Sequence, residues 1–223
     1  MLKGQGWLLF LLVAGCGGGG AKYHVDDNSL ASASVQEKQG ILAADQEKEV
    51  AKTEQQKAEA DLKNVDNELS IAENDYKSAK LQLDTAKLNQ KAAETSGDEN
   101  KKRQSMHDMR IAELGVKAAD AKVDWLNKKR KWIKSQRDAA DDHFAAADSR
   151  VELEKAKLAQ QKGIKPSKDF DIMNFESDNM KKQQQYSSSR MDADKMQADV
   201  DRLERDWQAQ MSTYQQAKAA ASH

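Results

Sequence analysis

The residue types able to do chemistry are few in this chain, and their spacing narrows what each can do. Cys16 is the sole cysteine among 223 residues. A lone thiol closes no disulfide within the chain and builds no cysteine metal site, but it is a nucleophile open to modification. The histidines stand at positions 24, 107, 143 and 223. His-Glu-x-x-His does not occur, and Asp141-Asp142-His143 puts its ligating groups on consecutive residues, which diverge around a helix. That segment is expected to be a solvated helix face, and the chain is expected to hold no metal. Lys128, Lys129, Arg130, Lys131, Lys134 and Arg137 put six basic residues in ten positions around Trp132. Such a block is the composition of a patch for phosphates, lipid head groups or nucleic acid. No Gly-x-Ser-x-Gly elbow, phosphate loop or dinucleotide fingerprint occurs. With no convergent titratable set, no catalytic residue is assigned and the chain is read as non-enzymatic.

The surroundings of Cys16 say what its thiol is for. Lys3 is followed by an unbroken apolar run, Trp7 to Ala14, and then by Gly15, Cys16 and Gly17 to Gly20. A basic start, a short apolar core and small residues make residues 1–15 a secretory signal peptide. The run would form about 12 Å of helix, well short of a bilayer span. Val13-Ala14-Gly15-Cys16 resembles the bacterial lipobox. The resemblance covers only the first 17 residues or so, and it implies that signal peptidase II cuts before Cys16 after its thiol has received a diacylglycerol. Residue 17 is Gly rather than Asp, which by resemblance to enterobacterial sorting implies the outer membrane. Two or three acyl chains on one residue anchor stably, at about 0.8 kcal/mol per buried methylene. No cofactor is expected beyond this covalent lipid. Residues 16–29 read as a flexible Gly-rich tether, on the order of 20 Å in span.

Composition describes what the tether carries. Charged residues make up 33% of the chain and aromatics 5%, with a single proline. Richness in Ala, Lys, Glu, Gln and Asp with few breakers points to long helices. The 36 basic and 37 acidic residues balance, so no global field draws the chain to nucleic acid. Breakers cluster at only two places after residue 34. At Gly97-Asp98 a left-handed glycine stop precedes an N-cap, and at Gly163 to Pro166 a glycine stop precedes a proline. Ser34 and Glu37 offer a capping box for the first helix. Helices are expected over 30–95, 99–162 and 169–219, with a short tail at 220–223. Short turns between long helices make antiparallel neighbours.

Heptads support an all-α, elongated three-helix antiparallel coiled coil. One seam of the first helix reads Ala44, Ala51, Ala58, Val65, Ala72, Ala79, Ala86 and Ala93. Alanine at a strict seven-residue repeat favours a left-handed supercoil with closely approaching helices. The second helix carries two seams one residue apart, through Trp125 and Trp132 and through Leu126 and Ile133, so it needs cover on two sides. The third helix offers Ala193, Met196, Val200, Leu203, Trp207 and Tyr214, while its Gln- and Ser-rich first half is expected to fray or bend.

Folding the chain at its turns reinterprets the basic block. Arg130 falls opposite Asp66 in a region holding Glu59, Asp61, Glu68, Glu73 and Asp75, and Asp199 to Asp206 supply acid on the other side. Facing charges of this kind set register. The third helix is expected to stop short of the distal turn, leaving a two-helix tip over about 85–112. Met106, His107 and Met109 in that tip suit a protein partner, and local fraying is the competing explanation. The expected function is therefore a membrane-anchored helical spacer, scaffold or adaptor of the cell envelope, facing the periplasm from the outer membrane. It resembles the short murein lipoproteins in anchoring and heptads, but Ala219-Ala220-Ala221-Ser222-His223 lacks their terminal lysine. A chaperone-like binding module and an accessory subunit of a trans-envelope secretion or motility complex stand as alternatives. An uncovered face would let rods pair into a homo-oligomer.

Overall fold

The computed structural model describes residues 21–221. The signal peptide and the motif Val13, Ala14, Gly15, Cys16 lie outside the described residues. The rest is all-α: α1 spans Gln39–Thr95, α2 Glu99–Gln161 and α3 Ile172–Ala220, and among the described residues no strand occurs. With 57, 63 and 49 residues, the helices are about 86, 95 and 74 Å long at about 1.5 Å per residue.

Two glycines end helices as their chemistry demands. Gly97 has φ of 70° and Gly163 has φ of 68°, the left-handed region where a Cβ is penalised. Asp98 then caps α2, accepting from the N–H groups of Asn100 and Lys101. Asp171 caps α3 by accepting from the N–H of Met173.

Antiparallel order is read directly from side-chain pairs between α1 and α2. Lys48 pairs with Asp148 at 2.6 Å, Gln55 with Asp141 at 2.6 Å, Lys129 with Glu68 at 3.0 Å and Lys122 with Asp75 at 3.4 Å. As the α1 number rises, the α2 number falls by the same step to within one residue. α2 packs on both α1 and α3, and no close backbone approach joins α1 to α3. The middle helix is therefore the spine of the bundle, which is why its sequence carries two seams.

Two apolar clusters occupy the core. At mid-height Val65, Leu69 and Ala72 of α1 meet Leu126 and Ile133 of α2, flanked by Trp125 and Trp132. Burying a side chain such as Leu126 contributes about 1.5–3 kcal/mol. At the base, Ile41 and Ala44 meet Val151, Ala156, Leu158, Ala159 and Phe175.

The base differs from expectation. Residues 21–29, expected to be tether, pack onto the bundle instead. Val25 is 0% exposed and Leu30 2%, and both sit in the basal cluster with Tyr23 against Phe175. A short 3-10 turn covers Asp27–Leu30, and α1 starts at Gln39 rather than near 30. The capping box does form, with the Ser34 N–H donating to Glu37 at 2.7 Å and the Glu37 N–H to Ser34 Oγ at 3.4 Å. It closes a turn that precedes α1. α3 is continuous through its Gln- and Ser-rich half, where Gln185 and Ser189 both donate to Asp142 of α2.

Candidate functional site

Three places gather side chains in ways that bear on function: the basic block, the distal tip and the base. In the block, Lys129 pairs with Glu68, Arg130 with Asp66 and Lys128 with Asp199 at 2.8 Å. The bond from Lys128 holds Asp199 below the usual carboxylate range. Arg137 bonds its neighbour Asp138 at 2.6 Å, and Lys131 and Lys134 are exposed. Half of the block is thus tied to acid on the flanking helices. Lys129 also lies 5.1 Å from the Trp125 ring centroid, and Trp125 stacks on Trp207 of α3 at 4.8 Å with 5° between planes. These tryptophans bind helices together rather than presenting open faces for a base or sugar.

The seam alanines lie along the α1–α2 contact. Ala44, Ala51, Ala72, Ala86 and Ala93 are buried, while Ala58 and Ala79 are half-buried. Ala58 lies at the wall of an open groove where α1 and α3 stand apart over Ala139 and Ala140 of α2, with Ala193 on the far wall.

Asp141-Asp142-His143 is not the solvated face expected. Asp141 accepts from Gln55 of α1 and Asp142 from α3. His143 Nδ1 lies 2.7 Å from Glu54 Oε2 of α1, while its ring stacks on Tyr186 of α3 at 4.4 Å. The three residues diverge around α2, as consecutive helical residues must, and that divergence lets each reach a different neighbour. Among the described residues no three His, Cys, Asp or Glu side chains group to hold a metal ion.

Toward the distal end of α3, six residues before its last residue Ala220, Tyr214 packs on Gly115, whose missing side chain makes room: a Cβ there would lie 3.2 Å from the ring. Beyond the end of α3, α1 and α2 continue as a pair. Met106 is 58% exposed, His107 is exposed and Met109 half-buried. A groove of about 510 Å³ runs between the helix ends, lined by Leu81, Thr85, Ala86, Ile111, Ala112 and Tyr214. The sequence pattern points to the methionines; the groove follows from the exact height at which α3 ends and was not legible there.

At the base a polar cluster links the N-terminal segment to α2. The N–H of Ala21 donates to Asp148 at 2.8 Å and that of Val25 to Glu152 at 2.7 Å. Lys155 bridges Glu152 at 3.1 Å and Asp27 at 2.7 Å. Burial pushes the Asp148 carboxyl up, but bonds from Lys48 and the Ala21 N–H, with the charges of Lys48 and Lys155, outweigh it and hold the group low. Lys155 is likewise lowered by burial and raised more strongly by Asp27 and Glu152.

No family model, curated protein or solved structure matches the chain. Among the described residues no helix is long and apolar enough to cross a membrane.

Proposed function

We propose that this chain is a non-enzymatic lipoprotein of the bacterial cell envelope, a lipid-anchored helical spacer or adaptor that stands on the outer membrane and faces the periplasm. The observation that carries the reading is the placement of residue 21 on the basal part of a thin rod, bonded to Asp148 of α2, five residues after Cys16 in the chain. An anchor at Cys16 attaches the rod through its basal part, so that the roughly 75 Å of α2 from Asp148 to Glu99 projects away from the bilayer. The far end is the two-helix tip with Met106 exposed, suited to a protein partner in the envelope. A lipid on Cys16 supplies the membrane attachment that the helices themselves do not.

Metabolic labelling with a palmitate analogue, combined with membrane fractionation of wild type and Cys16→Ser, tests it. The reading expects label in outer-membrane wild type and none in the variant. An unlabelled wild-type chain recovered free of membranes contradicts it.

The groove at the tip favours a second reading, a chaperone-like module that holds apolar client segments near the membrane. Suppression of client aggregation by the purified chain, lost on Leu81→Glu with Ile111→Glu, is its expected signature. Unchanged aggregation in the presence of wild type removes it.

A further inference from the structure

We infer that residues 21–38 form a releasable strap, docked on α2 through Asp148 and Glu152, that sets how much chain lies between residue 16 and the base of the rod. The consequence for membrane distance rests on the reading of Cys16 as the anchor; the strap itself does not.

The strap has little structure of its own. Its one regular element is the 3-10 turn Asp27–Leu30, and most of its side chains from 31 to 38 are exposed. It is held from outside by three buried apolar residues, Val25, Leu30 and Ala33, and by backbone N–H groups donated to carboxylates of the bundle. The Lys22 N–H donates to Asp178 of α3 at 3.2 Å, and His24 Nδ1 lies 3.1 Å from Glu152. Segments with few apolar anchors and externally satisfied backbone open before the structure they rest on.

The bundle is ready for that departure. Asp148 keeps Lys48 at 2.6 Å, and Glu152 keeps Lys155 at 3.1 Å. Neither carboxylate is left as an unpaired charge, the outcome that would make release costly. Ile41, Ala44, Val151, Leu158 and Phe175 of the basal cluster belong to the three long helices rather than to the strap. At its other end the strap joins α1 through the Ser34–Glu37 box, and Lys162 holds Glu37 at 2.9 Å from the basal turn. Release therefore need not disturb the start of α1.

The change in reach is large. Docked, the strap leaves residues 17–20 between Cys16 and the bundle, at most about 14 Å of chain at 3.3–3.6 Å per residue. Released as far as that box, residues 17–33 are available, up to about 60 Å by the same measure. A docked strap keeps Cys16 close to the height of Asp148 and Asp178 on the rod, and a released one lets the rod stand farther from the bilayer.

Hydrogen–deuterium exchange read by mass spectrometry on the full mature chain in detergent, at neutral pH, tests the strap. In wild type the amides of residues 21–30 should exchange at least about tenfold faster than those of 151–159, yet at least about tenfold slower than an unstructured chain. Val25→Asp, which places a new charge beside Glu152, should bring residues 21–30 to the unstructured rate while 100–160 keep their protection. Unstructured-chain rates for 21–30 in wild type would overturn the proposal. So would exchange of 21–30 in step with 151–159, or loss of helix protection together with the strap in Val25→Asp. Absence of lipid on Cys16 leaves these readings unaffected, so failure of the anchor and failure of the strap are distinguishable.

Discussion

Lys129 of α2 and Glu68 of α1, 61 positions apart in the chain, pair at 3.0 Å, and on the next residue of α2 Arg130 meets Asp66. Four charges within one turn thus align two helices about 90 Å long. Alanine seams repeat so evenly that sliding one helix by a heptad would cost little packing, and charge placement is what distinguishes the correct alignment from its neighbours.

Reversing the α2 side of this set, Lys129→Glu with Arg130→Glu, should destabilise the rod by about 1 kcal/mol per site, since exposed pairs are individually weak. Thermal melts should fall by several degrees and recover when Glu68→Lys and Asp66→Lys are added. Equal melting of all three proteins would show that the charges do not set register.

The tightest points of the α1–α2 contact are Ala51 and Ala72, both 0% exposed. Leucine at either has no room and should cost about 1–3 kcal/mol by overpacking. Ala58→Leu, beside the open groove, should be close to neutral. Denaturant midpoints decide this, and equal losses at all three sites would mean that the groove is closed in solution.

His143 links three helices at once. His143→Ala removes the stack on Tyr186 and the bond to Glu54, and should cost about 1–2 kcal/mol. His143→Phe should restore most of the loss, because a ring can still stack. If phenylalanine proves no better than alanine in urea melts, the stack contributes nothing and the bond to Glu54 carries the link.

The rod should be sensitive to both acid and alkali. Bonds from Lys162 and Ser34 hold the Glu37 carboxyl down at about 2, the bond from Lys155 lowers Asp27, and Asp148 and Asp199 are lowered as described. Depressed carboxyls stabilise the fold fully above their unfolded values of about 4, and that contribution is lost as pH falls through the folded values. The Lys155 ammonium is held above its ordinary 10.5, so its contribution is present below that value and lost as pH rises through the folded one. Urea midpoints should stay level from pH 5 to 9, drop between about pH 4 and 2, and drop again above about pH 10.5. Asp148→Asn should flatten part of the acid limb; an unaltered limb would mean that Asp148 does not report folding.

How much of this was legible depended on whether a signal was local. Gly97-Asp98 and Gly163 carry turn chemistry in the residues themselves, so the helix ends were readable. The short first turn fixed α1 against α2 closely enough to place Arg130 opposite Asp66. The second turn is longer, and Lys128 meets Asp199 about one helical turn from where a tight connection would put the pairing. Val25 and Leu30 are single apolar residues without periodicity, and their burial depends on a site built by Val151 and Phe175 far along the chain. Asp141-Asp142-His143 has the same composition as a solvated face, and only the positions of Glu54, Gln185 and Tyr186 make it a clamp. The lipobox reading of Val13 to Cys16 rests on local sequence alone.

The central claim is that Cys16 is the N-terminus of the mature chain and carries its membrane anchor. Intact-mass measurement of the chain extracted from membranes addresses it most directly. The expected result is a polypeptide beginning at Cys16 with added mass matching a diacylglycerol, with or without a further acyl group on its amine. A chain that retains residues 1–15, or that begins at another residue with an unmodified Cys16, would contradict it.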